Sequence, residues 1–169
     1  MSYENLLKGN YPKSMILCKM NIITLHHRLT VIIKKLKPNK MKYYLNTTIT
    51  GVSFDDAIDR VTEALKKEGF GVLTDIDIKA TMKKKLDVDL NEYRILGACN
   101  PGYAYKALQE ENKIGTMLPC NVIVQENNDG TIEISAVDPI ASMQAVENEN
   151  LGSLAIGIKN KLQKVIDSL

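Results

Sequence analysis

No histidine follows His27 in this 169-residue chain, so everything downstream lacks the side chain on which Ser-His-Asp and Cys-His catalysis depend. A glycine-rich phosphate loop is missing too. Ten glycines and five prolines are too few for a collagenous or low-complexity chain, and no uninterrupted apolar run reaches membrane-spanning length. Cysteine is scarce and odd in number, at Cys18, Cys99 and Cys120. Met15 to Leu25 has the apolar character of a signal core, but Lys19 interrupts it, His26-His27-Arg28 follows it, and no small-residue cleavage site appears. These absences argue against secretion and a disulfide framework, and they point to a soluble protein in a reducing, cytoplasmic setting.

What is present is an ordinary globular composition, 44% hydrophobic and 25% charged, enough for one core. The net charge of +2 conceals a reversal. Residues 1–40 carry eight Lys/Arg against one acid, Glu4, a balance of +7, whereas residues 41–169 carry fourteen against nineteen, a balance of −5. An acidic domain is a poor partner for nucleic acid, whose affinity comes from cations set against phosphates. Pattern changes at the same place, because Pro38-Asn39-Lys40 breaks the chain just before Met41.

Residues 1–40 therefore read as a basic extension and 41–169 as a single compact domain. Within the extension, Cys18, Ile22, Leu25, Leu29, Ile32 and Leu36 recur at helical spacing and predict an amphipathic helix. With Lys34, Lys35 and Lys37 near its end, that helix suits contact with a membrane surface or a partner. The plainer reading is an upstream extension before a true start at Met41. Cys18, His26 and His27 do not make a metal set, since adjacent residues on a helix point to different sides and no carboxylate accompanies them.

In the domain, Tyr43, Leu45, Thr47 and Ile49 alternate with polar neighbours as a half-covered strand. Ser53-x-x-Asp56 then makes a carboxylate variant of the capping box, ahead of a stripe at Phe54, Ala57, Ile58, Val61 and Leu65 that ends at Gly69. Phe70 to Ile78 predicts a second strand, with Val72, Thr74, Ile76 and Ile78 on one face and Leu73, Asp75 and Asp77 on the other. Lys79 to Leu86 suggests a short helical turn, whose Lys83-Lys84-Lys85 run reads as solvated, and Tyr93 to Ala98 a third strand.

Asn100-Pro101 is a helix start, with Ala104, Ala107 and Leu108 as its inner side. A strand holding Val122 and Val124, the turn Asn127-Asn128-Asp129-Gly130 and a strand from Thr131 to Val137 form a hairpin. Helix follows Pro139, breaks at Asn148 to Asn150 and resumes from Leu151. This order predicts an α/β chain of the α+β type, a two-layer sandwich of mainly antiparallel sheet with helices on one face.

Gly69-Phe70-Gly71-Val72-Leu73-Thr74, Ile95-Leu96-Gly97-Ala98-Cys99-Asn100-Pro101 and Leu118-Pro119-Cys120-Asn121-Val122 resemble, in order, signature segments of the domain-of-unknown-function 302 family. The resemblance covers nearly all of residues 41–169 and none of the extension. It implies a small two-layer domain that forms a homodimer, with no established activity, and the cofactor stays unknown. It offers Cys99, Asn100, Pro101, Pro119, Cys120 and Asn121 as candidate ligand-binding positions.

Cys99 stands just before a helix cap, where the positive helix end favours thiolate, while Cys120 falls on the apolar side of its strand, where burial favours neutral thiol. With no histidine nearby, a metal held by Cys99 and Cys120 would need carboxylates or a second subunit to complete it. Asp75 and Asp77 share a strand face but lack a third ligand or a nucleophile. Three readings stay open: a non-catalytic module that binds or senses a small ligand or metal near Cys99 and Cys120, a thiol enzyme in redox or sulfur transfer using the same two residues, and a purely structural dimerisation module.

Overall fold

Lys42 to Leu169 are the residues described by the structure, a computed structural model. The basic extension, the amphipathic helix expected in it, its His26-His27 pair and the expected domain start at Met41 lie outside the described residues. Five strands, β1 (Tyr44–Ile49), β2 (Gly71–Asp77), β3 (Tyr93–Cys99), β4 (Cys120–Glu126) and β5 (Ile132–Val137), form one sheet in the order β1-β5-β4-β3-β2. Every neighbouring pair is antiparallel. Strand alternation sends Leu96, Ala98, Val122, Val124, Ile132, Ile134 and Ala136 to one face, where all are buried.

That face is covered by helices. Helix α1 (Phe54–Lys67) contributes Ala57, Val61, Ala64 and Leu65, and α5 (Leu151–Asp167) contributes Ile158, Leu162, Val165 and Ile166 to the same core. Each fully buried Leu or Val stabilises the fold by about 1.5–3 kcal/mol. Helices α2 (Ile78–Leu86), α3 (Pro101–Glu110) and the short α4 (Pro139–Ser142) complete the layer elements. The expected break before α5 has a visible cause, because Asn148 Nδ2 donates to Glu110 O at 2.9 Å and Asn150 Nδ2 to Glu110 Oε2 at 2.8 Å, tying this bend to the end of α3. The α+β sandwich predicted from element order is the fold observed.

Four local features differ from the period-two and helical readings. Val72 lies opposite Ala98 and Thr74 opposite Gly97, which leaves Leu73 as the extra residue of a β-bulge. Val72 therefore shares its side with Asp75 and Asp77 rather than with Thr74 and Ile76. Ile78 is not a strand residue but the first of α2, whose cap is Asp77 accepting from Ala80 N at 2.7 Å. Leu108 is 45% exposed, and Ala107 with the half-buried Tyr103 takes the inner side of α3 instead. Tyr43, grouped by alternation with Leu45, precedes β1 and is 68% exposed.

Candidate functional site

Strands β3 and β4 are neighbours, and Ala98 lies opposite Cys120, so Cys99 and Cys120 stand diagonally across the pair. Cys99 ends β3. The next residue, Asn100, caps α3 by accepting from Tyr103 N at 3.4 Å, while its Nδ2 donates to Glu68 O at 3.4 Å beyond the end of α1. Lys161 Nζ reaches the same carbonyl at 3.0 Å. Close approach explains Gly69: its φ is +83° and a Cβ there would stand 3.1 Å from Asn100 Nδ2. Pro101 is the exposed first residue of α3, and Pro119 follows Leu118 through a cis peptide bond and packs over Gly97, where a Cβ would lie 2.8 Å from its Cγ.

Cys99, Asn100 and Cys120 line one crevice with Tyr103, Leu118 and Ile158. Its volume of about 30 Å³ suits little more than a single water molecule. Burial pushes the Cys120 thiol up to about 11, and the neighbouring Cys99 adds to the shift. Cys99 is half-buried and its thiol is also raised by burial, opposite in direction to the thiolate expected from the helix end. Among the described residues, no group of three or more His, Cys, Asp or Glu side chains is arranged to hold a metal. Asp75 and Asp77 are taken up by Arg94, whose nitrogens lie 2.9 Å and 3.6 Å from them. Lys83, from the lysine run, pairs with Asp87 at 2.9 Å and Asp89 at 3.2 Å.

Asn121, next to Cys120 in sequence, points to the other side of the sheet. Among the described residues, the helices of the core pack on the opposite face, and on this side β1, β5, β4 and β3 form a hollow of about 520 Å³. Tyr43, Tyr44 and Tyr93 wall the hollow, with Asn121, Gln125 and Glu133 among its polar lining. Tyr43 and Tyr44 meet edge to face, with ring centroids 4.9 Å apart and planes at 72°. The phenol of Tyr93 is raised by burial, with Tyr43 contributing. Glu133 Oε1 accepts from Asn46 Nδ2 at 3.2 Å and from the buried Ser135 Oγ at 3.1 Å. The space is of the size that holds small ligands.

The candidate positions thus divide between two faces. Cys99, Asn100 and Cys120 meet at the narrow crevice, and Asn121 alone lines the larger hollow. Sequence reasoning missed Tyr43, Tyr44, Tyr93, Gln125, Glu133 and Ser135. For all but Tyr43, which precedes β1, the signal that finds them is the predicted sandwich itself, because a sheet covered on one face leaves the outward half of every strand as a set.

A family model described as "Domain of unknown function DUF302" matches residues 45–169. Among solved structures, the chain is similar to the uncharacterized conserved protein DUF302 from Bacillus stearothermophilus. The two share 28% sequence identity and a TM-score of 0.70, over 75% of this chain and 98% of that one. No match was found among curated proteins.

Proposed function

Because this chain belongs to the family of the domain of unknown function DUF302, a description that names no reaction, we propose its role from its own geometry: a non-catalytic module that binds a small ligand in the hollow on the open face of its sheet. The observation that carries this reading is the 520 Å³ space itself, where three tyrosine rings and the polar ends of Asn121, Gln125 and Glu133 converge. The crevice at Cys99 and Cys120 is too small for the same task, and raised thiols favour packing there over thiol chemistry. Asn121 joins the two regions, since the β4 start that buries Cys120 also turns Asn121 into the hollow.

The test is native mass spectrometry of protein purified from its own host. A non-covalent small-molecule adduct is expected, and Asn121→Trp, which fills the hollow from an exposed position, should remove it. An adduct that survives Asn121→Trp and disappears on Cys99→Ser would move the site to the crevice, and protein without any adduct would count against the reading.

A second copy of the chain is the proposed macromolecular partner, at the opposite edge of the sheet. Leu73, Ile76, Leu86, Val88 and Leu90 are all exposed, and they belong to edge strand β2 and the segment that follows it.

A further inference from the structure

We infer that the hollow selects a small alkylammonium ion, an inference that rests on the reading of this hollow as the binding site. Glu133 is half-buried and belongs to no ion pair among the described residues. Among the described residues, both of its hydrogen bonds arrive at Oε1, from Asn46 and Ser135, so Oε2 retains its acceptor capacity and no cation there compensates the carboxylate. A half-buried carboxylate in this condition gains most from a cationic donor. An anion would meet it as a like charge, and a neutral ligand would leave the charge unpaired.

The walls favour the same class. The faces of tyrosine rings attract cations, and the Tyr44 ring already has one, the Lys42 ammonium 5.5 Å from its centroid. That ammonium donates to Asn46 Oδ1 at 3.2 Å, and Asn46 in turn donates to Glu133. The chain's own primary amine therefore sits at the rim in the contacts a free one would make, one residue short of the carboxylate. Lys42 is exposed. Among the described residues, no Lys or Arg lines the hollow itself. A free alkylammonium would displace Lys42 from the aromatic wall, or pass beneath it, and donate to Glu133 Oε2.

The experiment titrates the full chain with n-butylammonium, n-butanol and butyrate, three probes of similar size and different charge, followed by amide chemical shifts and calorimetry. Butylammonium is expected to bind saturably, shifting the amides of Tyr44 and Glu133, and to exceed butanol and butyrate by about tenfold, the scale of a charge-assisted contact. Glu133→Gln should abolish that preference. Lys42→Ala, at an exposed position that leaves the core untouched, should tighten butylammonium by about two- to fivefold, because a tethered competitor is gone. Butanol binding in the hollow as tightly as butylammonium, or Lys42→Ala weakening the ammonium, overturns the ligand class while leaving the hollow a binding site. No shift at Tyr44 or Glu133 with any probe overturns both.

Discussion

At the level of single residues, burial acts on Cys99 and Cys120 in the same direction, keeping both thiols neutral near pH 7. Alkylation of the native chain at pH 8 should therefore label Cys99 slowly and Cys120 hardly at all, with both reacting fully in denaturant. Rapid labelling of native Cys120 would contradict its burial at 9% exposure. The same shift predicts a pH dependence. Folded Cys120 titrates at about 11 and an unfolded cysteine near 8.5, so between these values the native state holds a proton that the unfolded chain has released. Its contribution to stability is intact below about pH 8.5 and declines as pH rises towards 11. Urea unfolding at pH 8 and pH 10 should show this decline, and Cys120→Ala should reduce it.

Asp138 carries a different kind of burden. It is buried, caps α4 by accepting from Ile140 N at 2.9 Å, and holds Lys159 Nζ at 2.6 Å. Asp138→Ala removes the cap and leaves a partly buried ammonium unpaired, for an expected loss of about 2–4 kcal/mol in urea unfolding. A loss below half a kcal/mol, within the range of an ordinary surface change of about 0.5 kcal/mol, would contradict the assignment.

At the scale of elements, the parts legible in sequence are those whose chemistry is local. Ser53 and Asp56 announced α1 within four residues, and in the fold Ser53 Oγ accepts from Asp56 N at 3.1 Å while donating to Asp56 Oδ2 at 2.7 Å. Ser53→Ala should cost about 1 kcal/mol, measured as a lower urea midpoint with unchanged slope. The β4–β5 hairpin was legible for the same reason: Gly130 takes φ +78°, and Asp129 Oδ1 accepts from Thr131 N at 3.0 Å. Strand β2 was only half legible. Its bulge at Leu73 depends on pairing with β3, and Asp77, the last residue of β2, is also the cap that turns Ile78 into a helix residue. Leu108 fits a helical stripe by spacing, but the face of α3 that turns inward is fixed by Tyr103 packing against Gly157, a position far along the chain.

At the scale of the whole molecule, the hollow was not legible because its walls come from four strands whose order β1-β5-β4-β3 is a property of the fold. Glu133 and Tyr93 are neither near in sequence nor marked by a motif; Gln125, opposite both, brings them into one row. A sheet face free of the core helices was implied by the two-layer prediction, but not the hollow of about 520 Å³ formed on it. The opposite edge, with Leu73 at 67% exposure beside Ile76, carries the expectation of a homodimer. Sedimentation equilibrium should give a dimer that Ile76→Asp converts to a folded monomer, and a wild-type monomer at high concentration would rule this edge out.

No helix among the described residues is long and apolar enough to cross a membrane. The central claim is that binding belongs to the open face rather than to the cysteines, and amide chemical-shift mapping of the full chain with a set of small neutral, anionic and cationic fragments tests it most directly. Shifts that gather at Tyr44, Tyr93, Asn121, Gln125 and Glu133 are the expected result. Shifts that gather instead at Cys99, Asn100 and Cys120, with the open face silent, would contradict it.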